Sequence, residues 1–465
     1  KGISIQLFVS SRKTDVVAPE GFVIHIIRQK KHVVYFALVG TGKSSDAIPE
    51  SWKKATLPEM SLGMMHAKIF RLEQELIKIT NTLQSLAQYR PNIEKLFLKR
   101  QEYVDFMEVR NGMGVAETIS YLQGFCPKTH IEQVRKKSSD NGWGLLIEDP
   151  NPDDVVPTLI HHSKWVKPIK ALLNMLKILP GYREVDISAV FLVFFSIFFA
   201  LLVGDAGYGL LFLLTTWLAR LKWKRAPAYP FVLLTILSLC TILWGSLTGN
   251  YFGISSIPAP LEALRIDWLN NNNHLMELCF LIGAIHLSIA HLWNTIKIIN
   301  TLQAIAQIGW ILITWTMFLA ARYFVINEPF PTFGWYMFSA GTIGIVLFTT
   351  PLRHIKHEFV RVAMLPLNLV GNFVDVISFL RLFAVGMATL AVAQNFNNMA
   401  FTVGFSRMWT APLAALILLV GHSLNILLCA LAMLVHGVRL NTLEFSSHIG
   451  LQWAGIKYDP FRVKS

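Results

Sequence analysis

The sequence predicts an α-helical membrane protein with eight transmembrane helices, preceded by a cytoplasmic arm of α/β and coiled-coil elements. The 465 residues are 53% hydrophobic and 15% charged, and the mean hydropathy is +0.46, which is unusual for a soluble protein. The apolar excess is uneven, because apolar runs long enough to cross a bilayer begin only at Ile187. We therefore expect an arm over residues 1–180 and a membrane domain over residues 181–465.

The net charge of +13 raises the question of nucleic-acid binding. The basic residues, however, cluster beside the apolar runs as well as in the arm, so membrane topology explains them better, and a lipid bilayer is the expected partner. Four cysteines form no CxxC pair, and three of them lie in apolar runs, which favours apolar side chains over disulfides or a metal site. No metal or cofactor is expected. The cysteines are Cys126, Cys240, Cys279 and Cys429.

The arm begins with strand-like segments, "ISIQLFVS" and residues 21–40, the latter predicting two strands around a basic turn. Because the chain starts at Lys1 and directly in a strand, we expect its natural N-terminus to lie upstream. A heptad seam follows and predicts a coiled-coil helix, which Pro91 ends or bends before a second helix that returns antiparallel. The seam consists of Met65, Ile69, Leu72, Leu76, Ile79, Leu83 and Leu86.

A second α/β lobe is predicted after this hairpin. "ISYLQGFCP" and "WGLLIED" have the composition of strands, and Thr129 and Glu132 are spaced as a capping box for a helix between them. The acidic segment "EDPNPDD" is expected to be a linker, because it lacks the glycine and distal glutamate of a calcium loop.

"ALVGTGKS", residues 37–44, resembles a phosphate-binding loop, with Ala37 in place of the first glycine. A nucleotide site also requires a helix that begins at the Lys-Ser pair, so that its amides point at phosphate. "SSDAIPESW" follows instead, so we expect a polar loop rather than a nucleotide site.

Eight apolar segments are predicted to span the membrane. Basic loops follow the second and sixth segments, "RLKWKR" and "RHIKHEFVR", and Lys297 follows the fourth. The positive-inside rule then places the arm, these loops and the C-terminus in the cytoplasm. The segments cover about 187–203, 206–220, 229–248, 275–296, 302–324, 334–350, 364–398 and 410–440.

Arg381 lies within the seventh segment, where an ionised side chain costs roughly 2.5–3.5 kcal/mol. Asp375 is too far around the same helix to pair with it, at about 240°. The face of Arg381 carries small residues, Ser378, Ala384, Ala388 and Ala391, which would let another helix approach closely. Arg381 is therefore a functional candidate, and a salt bridge that ties two helices is the alternative.

The eighth segment carries polar residues at helical spacing on one face, which predicts a helix that lines a water path or packs against a polar partner. Hydrogen bonds between helices are the alternative. This stripe consists of His422, Asn425, Cys429, Ala432, His436 and Arg439.

Three other polar residues are weaker candidates for an ion route. Asp205 in "VGDAGYG" could instead cap the next helix, His286 could be a satisfied buried histidine, and Asp375 could pair with another helix. Glu444 and Asn441 are expected to be solvated near the cytoplasmic end. Because no hydrolase, metalloprotease or iron–sulfur motif appears in the membrane part, we expect transport rather than covalent catalysis.

Several segments together resemble the membrane stator subunit of V-type and A-type rotary ATPases, called subunit a or subunit I. The resemblance covers nearly the whole chain, in bacterial or archaeal form. The segments are "YLQGFCP", "LPGYREVDISAVFLVFFSIFFALLVGDAGYGLL", "ILWGSLTGNYFG", "SFLRLFAVGMA" and "VHGVRLNTLEF".

The resemblance implies a non-catalytic stator in a bacterial or archaeal plasma membrane. It would form two ion half-channels for H⁺ or Na⁺ beside the proteolipid c-ring, with Arg381 facing the ring and Arg439 as the second arginine. The implied partners are the c-ring, the peripheral stalk subunits and the central stalk cap subunit. Some relatives carry an acidic residue in the last span at or near the position of Cys429, so the resemblance does not define which residues line the polar path. The alternatives are a secondary transporter with a regulatory domain, for which no internal repeat is found, and a scaffold without transport.

Overall fold

The computed structural model describes residues 3–11, 18, 21–30, 33–41, 52–55, 60–254, 258–349, 364–405, 407 and 409–461. Two predictions lie outside them. The Lys-Ser pair of the phosphate-loop resemblance, residues 43 and 44, is not described, and neither is the basic loop 353–361. The chain forms two compact units, residues 1–122 with 461–465, and residues 123–460.

The first unit contains a four-stranded antiparallel sheet in the order β2-β3-β1-β4. The strands predicted from "ISIQLFVS" and residues 21–40 are therefore confirmed. Phe8, Phe36 and Trp52 form the small apolar core, in which the rings of Phe36 and Trp52 meet edge to face at 4.7 Å. The strands are β1 Ser4–Ser11, β2 Phe22–Lys30, β3 Val33–Gly40 and β4 Lys53–Lys54.

Two helices follow in the same unit, α1 Leu62–Ala87 and α2 Arg90–Asn111. Neither helix buries a residue, and seam side chains such as Leu76 remain exposed. The antiparallel return of α2 is not observed within residues 60–122. Gln88 and Tyr89 between the helices keep right-handed helical dihedral angles, so no tight turn reverses the chain.

One of the two strands predicted after α2 is confirmed. Residues Ile119–Tyr121 of "ISYLQGFCP" form β6, which pairs antiparallel with β5, Gly114–Ala116, in a short hairpin. The capping box is wrong, because helix α3, Ile131–Asn141, begins after His130 without a side-chain cap. "WGLLIED", residues 143–149, is not a strand, because it pairs with no strand in the part of the chain that the structure describes.

The second unit is a bundle of apolar helices. Among the described residues, five helices are long and apolar enough to cross a membrane, so the predicted count of eight is corrected to five. The other three predicted spans are helices of 16 or 17 residues, below the roughly 20 that a bilayer requires. The five are α7 Ala228–Thr248, α9 Asn272–Lys297, α10 Gln303–Ile326, one span over Leu365–Val403 that consists of two consecutive helices, and α14 Thr410–Ile449.

The remaining helices complete this bundle. Phe379 separates α12, Leu365–Ser378, from α13, Leu380–Val403, and π-helical turns interrupt α14 at Met433–Gly437 and Leu440–Phe445. The large core includes Phe191, Phe198 and Phe280. The helices are α4 Lys170–Leu176, α5 Ser188–Val203, α6 Ala206–Lys222, α8 Ala259–Glu262, α11 Thr332–Phe348, α12 Leu365–Ser378 and α13 Leu380–Val403.

Candidate functional site

Two arginines share one glutamate among the long apolar helices. Arg381 Nη2 donates to Oε1 of Glu444 at 2.5 Å, and Arg439 Nε lies 3.3 Å from the same oxygen. The Glu444 side chain is only 5% exposed, whereas that of Arg439 is 54% exposed. No other acidic side chain pairs with either arginine in the part of the chain that the structure describes. Two guanidinium groups and one carboxylate leave the cluster with one uncompensated positive charge.

The local backbone explains how these groups meet. Arg381 lies in the first turn of α13, and its Nε donates to the carbonyl of Ser378 across the break at Phe379. Arg439 lies between the two π-turns of α14, and Glu444 lies within the second, Leu440–Phe445. A π-turn adds about one residue to a turn and so rotates later side chains by about 100° relative to a straight α-helix.

Two predictions are corrected at this cluster. The helix-to-helix ion pair, considered for Arg381 only as an alternative, is present between α13 and α14. Glu444 and Asn441, expected to be solvated, are 4% and 0% exposed. The burial of Glu444 and Asn441 could not be predicted from regular α-helical spacing, because the π-turns change which side chains point inward.

The N-terminal half of the polar stripe on α14 is a hydrogen-bonded network. The Tyr208 hydroxyl lies 2.6 Å from Nδ1 of His422, whose Nε2 lies 3.1 Å from Oδ1 of Asn397. Asn425 Nδ2 donates to Tyr208 at 3.1 Å and to the carbonyl of Thr389 at 2.9 Å. Interhelical hydrogen bonds, the alternative considered for this stripe, are therefore present in its N-terminal half.

The stripe residues closer to Arg439, Cys429 and His436, do not belong to this hydrogen-bonded network. Cys429 borders an apolar cavity of about 240 Å³, so the polar face is interrupted. The Nδ1 atom of His436 is buried without a hydrogen-bond partner among the described residues. His436 lies within the first π-turn, Met433–Gly437, so the regular α-helical spacing of the stripe ends before it.

Asp205 caps helix α6. Its carboxylate accepts hydrogen bonds from the backbone amides of Gly207 and Tyr208 in α6. It also accepts from the amides of Phe252 and Gly253, at 2.8 and 3.0 Å. These four amide donors show that Asp205 caps the helix, which was the alternative to a role in ion transport. Its place in an ion route stays a prediction.

His286 is fully buried between aromatic rings. It stacks on Phe194 at 4.0 Å and on Phe445 at 4.4 Å. Neither ring nitrogen has a hydrogen-bond partner among the described residues, so this ring differs from the satisfied buried histidine that was the alternative. Its contribution to an ion route stays a prediction.

Asp375 pairs with His448, a residue that no sequence pattern indicated. Its Oδ2 lies 3.0 Å from Nε2 of His448, which also contacts His291 of α9. Sequence spacing could not identify this pair, because 73 residues separate its members. Tyr208, His291, His448 and Glu444 were all missed, since their significance depends on contacts between distant helices.

The small-residue face of α13 beside Arg381 is open. Ala384, Ala388 and Ala391 are exposed, whereas Ala393 on another face is buried at 1%. No helix of the described chain covers this strip. Among the described residues, no group of three or more histidine, cysteine or acidic side chains is arranged to hold a metal ion.

Long apolar helices around an internal arginine–glutamate–arginine cluster define a multi-helix membrane protein with ionised groups in its interior. The chain is 31% identical to V-type ATP synthase subunit I 1 of Treponema pallidum, over 90% of this chain and 72% of that protein. It is 30% identical to V-type ATP synthase subunit I of Borreliella burgdorferi, over 94% and 75%.

The similarity extends to A-type ATP synthase subunit I of Methanocaldococcus jannaschii, at 26% identity over 87% of this chain and 64% of that protein. No family model matches the sequence. The chain belongs to the subunit I family of V-type and A-type ATP synthases. This confirms the resemblance and identifies a membrane subunit rather than a catalytic one.

Proposed function

We propose that this chain is the membrane stator of a rotary ATPase, which couples ion movement through two half-channels to rotation of a proteolipid ring. The observation that carries the proposal is the uncompensated positive charge of the Arg381–Glu444–Arg439 cluster. An isolated charge among apolar helices is costly, so the cluster favours an anion supplied from outside the chain. A carboxylate on each ring subunit is such an anion.

The mechanism follows from exchange of partners. When a ring carboxylate arrives, Arg381 stabilises its ionised form, and Glu444 remains paired with Arg439. When the carboxylate leaves toward lipid, it first takes up an ion, because an unpaired carboxylate is strongly disfavoured there. Arg381 then returns to Glu444. The fixed charge also opposes direct passage of a cation between the two half-channels.

Two polar groupings on either side of the cluster along α14 are our candidates for the half-channels. His422 and Asn425 precede the arginines in the chain and meet Tyr208. His448 follows them and meets Asp375. The offset of these groupings along one long helix matches the requirement that loading and release occur from opposite sides of the membrane.

The arm and the topology complete the stator. The exposed apolar seam of α1 has no cover within residues 60–122, and we assign it to the peripheral stalk subunits. The central stalk cap subunit is the other soluble partner. We assign the arm and the C-terminal end of α14 to the cytoplasm of a bacterial or archaeal cell, and the basic loop after α6 supports this assignment. Because five full-length spans are an odd number, the assignment requires that an odd number of the shorter apolar helices α5, α6 and α11 also cross the membrane.

Cysteine cross-linking in the assembled complex tests the position of the ring. Ala384→Cys and Ala388→Cys, each combined with a cysteine beside the ring carboxylate, are expected to form a disulfide on mild oxidation. Ala393→Cys is the matched control, because it lies on the same helix but is buried within this chain. Equal cross-linking at Ala393, or none at either exposed position, would contradict the proposed ring-facing surface.

A further inference from the structure

The apolar cavity of about 240 Å³ lies between helices α5, α6, α7 and α14. Its wall includes the side chains of Phe199, Phe212 and Leu234. The Ser238 hydroxyl, also at the wall, donates to the backbone carbonyl of Leu234 at 2.7 Å, so it is already hydrogen-bonded within its own helix. An apolar cavity of about 150 Å³ stays dry and binds benzene, so this larger cavity is suited to an apolar occupant rather than to water.

The cavity opens toward the hydrocarbon of the membrane. Three of its wall residues, Thr215, Leu234 and Ala430, are exposed, and they come from three different helices. Beside them on α6, Leu214 and Leu218 are each 50% exposed. Large apolar side chains that are exposed on a membrane bundle lie against lipid chains or against another membrane subunit. The occupant of the cavity is therefore an apolar group that enters from within the membrane.

The turn that joins α6 to α7 is strongly basic. Residues 206–261 contain four basic side chains and no acidic one, and all four basic side chains lie within residues 220–225. Lys222 follows Thr215 by seven residues, so the two side chains share one face of α6, about 10 Å apart along its axis. Trp223, just beyond the helix, is 58% exposed, as is typical of an indole ring at the level of the lipid headgroups. Lys222 therefore lies at headgroup level on the face of α6 that borders the cavity.

Arg220 fixes this turn and adds a second positive charge. Its Nη1 donates to the backbone carbonyl of Ala226 at 2.8 Å, and its guanidinium carbon lies 5.3 Å from the centre of the Phe231 ring, in a cation–π contact. Because a guanidinium has five N–H groups, Arg220 keeps donors for a further acceptor. Neither Arg220 nor Lys222 forms an ion pair with an acidic side chain among the described residues. The two cations therefore favour an anion at the membrane surface.

We propose that the cavity, Lys222 and Arg220 form a binding site for one anionic phospholipid. The lipid phosphate lies between Lys222 and Arg220, and one acyl chain enters the cavity beside Thr215. Phosphatidylglycerol has this chemistry, whereas the choline group of phosphatidylcholine adds a positive charge that the two basic side chains repel. Membrane topology alone explains a basic turn, but it does not explain an apolar opening on the same face of α6. The proposal does not depend on the stator function, because it uses only the membrane location of α7 and α14.

Photo-cross-linking in the whole purified complex tests this site. The probe is phosphatidylglycerol with a diazirine group near the end of one acyl chain, and mass spectrometry maps the labelled residues. We expect the labels on this chain to concentrate on the cavity wall, chiefly at Phe212, Leu234 and Ala430. Unlabelled phosphatidylglycerol should displace the probe about tenfold better than phosphatidylcholine with the same acyl chains, because phosphatidylcholine has no net negative charge.

Two pairs of variants separate the headgroup from the acyl chain. Lys222→Gln should remove most of the preference for phosphatidylglycerol, whereas Lys224→Gln, the same change of charge beyond the end of α6, should keep it. Thr215→Phe should lower labelling of the cavity about fivefold or more, because the blocked acyl chain loses the burial of several methylene groups. Leu214→Phe, at a neighbouring residue of α6 that does not line the cavity, is the matched control.

Three results would overturn the proposal. The first is equal displacement of the probe by phosphatidylglycerol and phosphatidylcholine in the wild type. The second is equal behaviour of Lys222→Gln and Lys224→Gln, which would show only a general attraction of anionic lipid to the basic turn. The third is a cavity without label in the assembled complex, which would show that another subunit covers it. If Thr215→Phe does not assemble, Ala430→Phe narrows the same cavity from α14 and takes its place.

Discussion

Arg381 of α13 and Glu444 of α14 form an ion pair with a 2.5 Å hydrogen bond, and Arg439 contacts the same carboxylate oxygen. One carboxylate therefore serves two guanidinium groups. The single carboxylate stabilises both arginines but leaves the cluster with a net positive charge. The remaining positive charge is what we expect the rest of the assembly to use.

Glu444→Gln should destabilise the chain by about 3 kcal/mol, because it leaves two buried or half-buried arginines without a counter-charge. Thermal unfolding in detergent measures this loss. Glu277→Gln is the matched control, since Arg322 keeps Glu328 as a partner, and its effect should be below about 1 kcal/mol. Equal losses in the two variants would show that the Arg381–Glu444–Arg439 cluster contributes no more to stability than the Arg322–Glu277 ion pair does.

Tyr208→Phe should cost about 1–3 kcal/mol, because it removes the hydroxyl that His422 and Asn425 both contact. The same unfolding assay gives the value. Tyr323→Phe, at a residue 48% exposed, should change stability little. A neutral Tyr208→Phe would mean that water replaces the hydroxyl.

Stability should fall at acidic pH through His162, which lies outside the spans and contacts Ser188 at 3.2 Å. Burial lowers the pKa of His162 below its ordinary value of 6.5, and the nearby Asp186 only partly opposes this. The unfolded chain therefore binds a proton first, so the contribution is complete above pH 6.5 and decreases as the pH falls toward the folded-state pKa.

The effect of His162 is small, because the side chain is only half-buried. Melting temperatures from pH 8 down to pH 5 should fall less in His162→Gln than in the wild type. Identical pH profiles of the melting temperature would show that His162 does not contribute to the loss of stability at acidic pH.

Gly245→Ala should destabilise the bundle by about 1–3 kcal/mol, because the added Cβ would lie 2.1 Å from the backbone nitrogen of Ala206. The unfolding free energy can be compared with that of Gly371→Ala on α12. A Cβ at Gly371 meets nothing within 4 Å, so this control should be neutral or slightly stabilising. A well-tolerated Gly245→Ala would show that α6 and α7 can move apart at this contact without loss of stability.

Much of the membrane part could be predicted from the sequence, because apolar runs and the cost of buried charge act locally along the chain. The bounds of α7 and α9 lie within a few residues of the predicted spans, and Arg381 was selected from its cost alone. The number of full-length spans was overestimated, since apolar composition does not reveal where a helix stops.

The partners of the charged residues could not be predicted. Glu444 turns inward because of a π-turn, which has no reliable sequence signal. His291, His448 and Asp375 lie on three helices, so only packing brings them together. In the arm, "WGLLIED" has strand composition but no strand beside it, and composition alone cannot supply one.

The role of Arg381 in ion transport can be measured as ATP-driven pumping by reconstituted complexes. We expect no ion gradient from Arg381→Ala and a severe loss from Arg381→Lys, which keeps the charge but not the guanidinium geometry. Arg225→Ala, in the exposed loop after α6, should pump normally. Wild-type pumping by fully assembled Arg381→Ala and Arg381→Lys complexes would show that this subunit does not act as the proposed stator.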